Sequence, residues 1–71
     1  MKNRLKEFRV KRGDLTQEEL AVKVNVSRQT IIAVEKGKFN PSVKLALKLA
    51  KVLNCSVEEL FTLEEGDWDD R

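Results

Sequence analysis

Leu15-Thr16-Gln17-Glu18-Glu19-Leu20-Ala21-Val22-Lys23-Val24-Asn25-Val26-Ser27-Arg28-Gln29-Thr30-Ile31 is the stretch on which the fold of this chain turns. Thr16 and Glu19 stand at capping-box spacing. The Thr hydroxyl there accepts from the amide three residues on, and the Glu carboxylate reaches back to the Thr amide. Leu20, Ala21 and Val24 follow at helical spacing, so a helix runs from Gln17 to about Val24. Asn25 ends it, because Asn is the residue other than Gly that most readily takes the left-handed conformation of a sharp helix stop. Ser27 caps a further helix with Ile31 and Val34 on its inner face, and Lys36-Gly37 supplies a cationic last turn and a glycine stop. Two short helices about a tight turn have the layout of a helix-turn-helix, with Ala21 as the small residue where the second helix is crossed by the third. Periodicity alone also fits any small helical bundle.

Outward from this core, Leu5, Phe8 and the stem of Arg12 recur at helical spacing. Residues 2–12 therefore read as a first amphipathic helix, ended by Gly13. Pro41 disfavours helix at Asn40, and Ser42 caps a fourth helix carrying Leu45, Ala46, Leu49, Val52 and Leu53. Ser56-Val57-Glu58-Glu59 is a second capping box, opening a short fifth helix through Leu60. Residues 61–64, Phe-Thr-Leu-Glu, then alternate apolar and polar, a strand pattern, and a frayed end is expected after Gly66. The expected fold is all-α, five helices with a short C-terminal strand. The domain should span residues 1–63, with residues 64–71 as an acidic tail.

At 71 residues the chain is below the size of two domains, and such a domain buries only about 60% of its unfolded surface, which favours packed helices or a partner. No apolar run approaches the roughly 20 residues that span a bilayer, and Met1-Lys2-Asn3-Arg4 leads into no signal-like segment, so a cytoplasmic protein is expected. Cys55 is the single cysteine and there is no His, which leaves no intramolecular disulfide and no metal cluster. Cys55 reads instead as a small buried hydrophobe. Without His, a paired nucleophile and base, or a phosphate-cradling glycine loop, neither an enzyme nor a cofactor is expected.

Charge is unevenly placed. Residues 1–38 carry ten bases and five acids; residues 39–57 add Lys44, Lys48 and Lys51 and no acid. Residues 58–71 hold seven acids and one base, so a net +2 conceals a basic body and an acidic tail. A basic body points to a polyanionic partner, while the tail, repelled by one, reads as a solvated segment that aids solubility.

Through Leu15-Thr16-Gln17-Glu18-Glu19-Leu20-Ala21, Val26-Ser27-Arg28-Gln29-Thr30-Ile31, Glu35-Lys36-Gly37-Lys38 with Asn40-Pro41-Ser42, and Leu45 to Leu53 leading into Val57-Glu58-Glu59-Leu60-Phe61, the chain resembles the phage lambda repressor-like helix-turn-helix regulators, also known as the xenobiotic response element family. In length it is similar to the short single-domain members. The resemblance implies a five-helix domain that binds double-stranded operator DNA, usually as a homodimer. It makes the helix after Ser27 the recognition helix, with Arg28, Gln29, Ile32 and Ala33 facing base edges. Arg can grip guanine and Gln adenine through paired hydrogen bonds, and an apolar side chain can touch a thymine methyl. Gln17, Thr30, Lys38, Asn40 and Ser42 fall where family members touch the sugar-phosphate backbone. The resemblance further implies an ion pair between Arg9 and Glu35. Leu60, Phe61, Leu63 and Trp68 are the candidate dimer interface, with the strand at residues 61–64 pairing either with its own N-terminal segment or with its symmetry mate; the alternative is that Phe61 and Leu63 close the core of their own subunit. The chain departs from the family's pattern in the apolar Ile32 and Ala33, in Asn25 where Gly is usual, and in the extra Asp14.

The expected function is sequence-specific regulation of transcription, as a repressor on a near-palindromic operator. The competing class is a protein-interaction module, antitoxin-like or accessory, whose acidic tail docks on a basic partner.

Overall fold

The computed structural model describes residues 1–69. Along the chain run β1 (Lys2–Asn3), α1 (Leu5–Lys11), α2 (Gln17–Val24), α3 (Arg28–Glu35), α4 (Val43–Val52), α5 (Val57–Leu60), β2 (Phe61–Thr62) and a 3-10 turn (Glu65–Asp69). The fold is all-α with one small antiparallel sheet, in which Lys2 pairs with Thr62 and Asn3 with Phe61. Of the two pairings open to the C-terminal strand, the one with its own N-terminal segment is present.

Each helix boundary has a local cause. Thr16 Oγ1 accepts from Glu19 N at 3.0 Å while Thr16 N donates to Glu19 Oε1 at 2.8 Å, and Ser56 and Glu59 repeat both distances. Ser27 caps α3 by accepting from Thr30 N at 3.2 Å, and Ser42 caps α4 by accepting from Leu45 N at 3.1 Å. Asn25 sits at φ 59° and ψ 49°, the left-handed region, and Val26 N reaches back to Ala21 O at 3.0 Å. Gly37, at φ 75°, closes α3 in the same way, with Lys38 N donating to Ala33 O at 2.9 Å. Asn54 does so for α4, at φ 53°, with Cys55 N on Ala50 O.

The first helix is shorter than the periodicity of residues 2–12 predicts. Asn3 lies before it, its Oδ1 accepting from Leu5 N at 3.2 Å and its Nδ2 donating to Val34 O at 2.8 Å. Arg4 N donates to Leu60 O. Bonds to Val34 and Leu60, both distant in sequence, and the pairing with β2 thus hold residues 2–3 extended, where local propensity would wind them into α1. Leu5, Phe8, Leu20, Val24, Ile31, Val34, Leu49, Leu53 and Leu60 form the heart of the core, with the partly buried Cys55 packed against it. Burial pushes the Cys55 thiol above its usual range.

The end expected to fray after Gly66 instead turns. Glu64 N donates to Asp67 Oδ2 at 2.7 Å, and the Met1 ammonium lies 3.0 Å from Glu64 Oε1 and 3.1 Å from Asp67 Oδ2. Of the acidic tail, Asp70 and Arg71 lie outside the described residues.

Candidate nucleic-acid interface

The orientation of α3 rests on its buried side. Ile31 and Val34 are 0% and 1% exposed. Beside them Arg9 Nε donates to Glu35 Oε2 at 2.8 Å, and Arg9 Nη1 donates to Leu15 O at 2.6 Å. Gln17 Nε2 completes the knot by donating to Glu35 Oε1 at 3.1 Å. One carboxylate therefore ties α1, the start of α2 and the end of α3 together. Both ion-pair side chains are almost wholly buried, where an unpaired charge would be costly.

With α3 held so, Arg28 and Gln29 are exposed in its first turn, and Ile32 and Ala33 are half-buried further along. Thr30 is half-buried, its Oγ1 3.0 Å from Ser27 Oγ. Lys38, Asn40 and Ser42 are exposed on the loop between α3 and α4. The Gln17 side chain points inward to Glu35, so its outward offering is the backbone of the α2 N-terminus, where exposed amides favour an anion. Thr30 and Ser42 line one groove together with Phe39, Lys44 and Lys48. In the sequence these two lysines read only as charge, and nothing local places them beside Thr30 and Ser42. Their signal was the acid-free run of Lys on α4.

Of the four candidate dimer-interface residues, two are buried and two exposed. Leu60 is 0% exposed and Phe61 9%, because α5 and β2 close the core of their own subunit. Leu63 and Trp68 remain exposed, at 55% and 74%.

Among the described residues no helix is long and apolar enough to cross a membrane, and no group of His, Cys, Asp and Glu could hold a metal ion. Compared with known proteins, residues 5–60 match the helix-turn-helix family. This chain belongs to that family. It is similar to an uncharacterised HTH-type transcriptional regulator of Archaeoglobus fulgidus, 51% identical over 72 residues and covering 100% of both chains. The cryptic phage CTXphi transcriptional repressor RstR of Vibrio cholerae is 35% identical over 69 residues, 97% of this chain and 61% of its own. In three dimensions the regulator is similar to the restriction-modification controller protein C.AhdI of Aeromonas hydrophila. The TM-score is 0.73 at 41% identity, over 82% of this chain and 86% of that one. The regulator therefore carries a lambda repressor-like helix-turn-helix DNA-binding domain and acts in the regulation of transcription.

Proposed function

We propose that this regulator is a repressor that occupies a near-palindromic operator as a homodimer. The observation that carries the reading is the first turn of α3, where Arg28 and Gln29 are exposed while Ile31 and Val34 anchor the opposite side. Two adjacent side chains able to make paired hydrogen bonds to purine edges, on a helix with one fixed orientation, are the means of direct major-groove readout. Ile32 and Ala33 extend that face with methyl contacts to thymine. Gln17 through its backbone, and Thr30, Lys38, Asn40 and Ser42 through side chains, set register on the phosphates without reading sequence.

One domain offers a contact surface of roughly 600–1,000 Å², too little for high specificity alone. A two-fold dimer places two recognition helices about 34 Å apart and doubles the readout. The similarity to a named phage repressor supports repression as the outcome. Selection from random duplexes followed by sequencing tests the whole reading. Wild type should enrich a palindromic motif, and Arg28→Ala with Gln29→Ala should lose the motif while retaining weak, salt-sensitive binding. Enrichment of no motif by wild type would sink it.

A further inference from the structure

Among the exposed apolar side chains, which include Val10, Val22 and Phe39, two pairs stand beside charges of opposite sign. On α4, Val43 and Leu47 are 77% and 57% exposed, and with Lys51 they form a single i, i+4, i+8 row. The helix carries Lys44, Lys48 and Lys51 and no acid. At the other end of the chain, Leu63 and Trp68 are 55% and 74% exposed. Trp68 stands three residues after Glu65 in the 3-10 turn, where residues i and i+3 eclipse, so an indole and a carboxylate share one edge. Glu65 makes no ion pair among the described residues. Glu64 and Asp67 keep the turn in shape through the Met1 ammonium. One surface is thus apolar with cations and the other apolar with anions.

We propose that these two surfaces are the halves of one contact between two copies of the chain. Trp68 and Leu63 of one copy pack on Val43 and Leu47 of the second, with Glu65 set against Lys51. Under two-fold symmetry the contact occurs twice and the assembly closes as a dimer, since each copy offers both halves. The proposal rests on the homodimer reading above and supplies the surface that receives Trp68. Double-stranded DNA is a poorer occupant of this row, because Val43 and Leu47 offer nothing to a phosphate.

The sole tryptophan makes the contact directly visible. Sedimentation and Trp68 emission would be followed across concentration for the full chain, with and without an operator duplex. Wild type should double in mass while its emission moves to shorter wavelength at the same midpoint. Leu47→Gln and Trp68→Ala, both at exposed positions, should each weaken dimerisation by about tenfold or more. Mixing the two variants should recover a heterodimer held by the one intact contact, which an interface of α4 against α4 would not do. Lys51→Glu and Glu65→Lys should each weaken the dimer, and together should restore it. A dimer whose Trp68 stays in water and ignores Trp68→Ala overturns the contact and leaves the homodimer standing. A loss of DNA affinity in Leu47→Gln with mass unchanged overturns it in favour of a nucleic-acid face. A monomer at every concentration, with and without the duplex, removes the homodimer reading and this contact with it.

Discussion

Removing the Arg9 guanidinium would leave the Glu35 carboxylate buried with only the Gln17 amide as partner, and would strand Leu15 O as well. Arg9→Met is expected to cost about 3–5 kcal/mol, a large part of the roughly 5–15 kcal/mol that holds a small domain together. Urea unfolding checks it, and Arg9→Met combined with Glu35→Leu should regain much of the loss, since an apolar pair leaves no orphaned charge. On the surface the same scale separates two kinds of DNA contact. Arg28→Ala should cost about 1–3 kcal/mol at one base position and relax the preference there. Lys38→Ala should weaken binding to every sequence alike and lower the salt slope by about one. Anisotropy titrations at several salt concentrations distinguish the two. A result in which Arg28→Ala lowers all sequences equally would move Arg28 from base reading to phosphate contact.

Helices α2 and α5 both start with a capping box in which the carboxylate of the third helical residue accepts from the cap residue's amide. Those backbone bonds, from Thr16 to Glu19 and from Ser56 to Glu59, hold both carboxyls below the ordinary value of 4.5. A carboxyl depressed in the fold contributes stability above its ordinary value, and that contribution is lost as pH falls through the depressed one. The melting temperature should therefore decline from about pH 5 downward, and Glu19→Gln with Glu59→Gln should make the decline shallower. An unchanged slope in the double variant would mean that the boxes contribute nothing that titrates. The C-terminal stops follow one rule as well. Asn25, Gly37 and Asn54 each occupy the left-handed region and each close their helix with a bond back over five residues. Asn25 and Gly37 are readable because each interrupts an apolar period. Asn54 is less readable, because the capping box at Ser56 already marks the same boundary.

Across the whole molecule, the first residues of the chain meet residues 61–67. β1 pairs with β2, Asn3 reaches the end of α3, and Met1 reaches the 3-10 turn. Leu60 sits under this closure at 0% exposure, so Leu60→Ala should cost about 2–5 kcal/mol through the cavity it opens. The loss should appear as a lower melting temperature independent of protein concentration. A shift in the dimer midpoint at unchanged monomer stability would instead return Leu60 to an interface.

Local chemistry in the sequence was enough to specify α2, α3 and α4, because caps, stops and apolar period act within a few residues and agree with one another. The resemblance, not the period, implies Arg28 and Gln29 as base-facing residues, and the fold leaves both exposed while Ile31 and Val34 are buried. Tertiary structure alone decided the rest. Residues 2–3 have the propensity for helix but are held extended by bonds to Val34 and to residues 60–62, which lie far away in sequence. The side-chain bond of Gln17 to Glu35 is also a tertiary matter, since only the fold brings the two within reach. Leu60 and Phe61 read as a candidate dimer interface because alternation cannot say whether a short apolar pair closes its own core or a neighbour's. The packing of α5 and β2 buries both within the subunit.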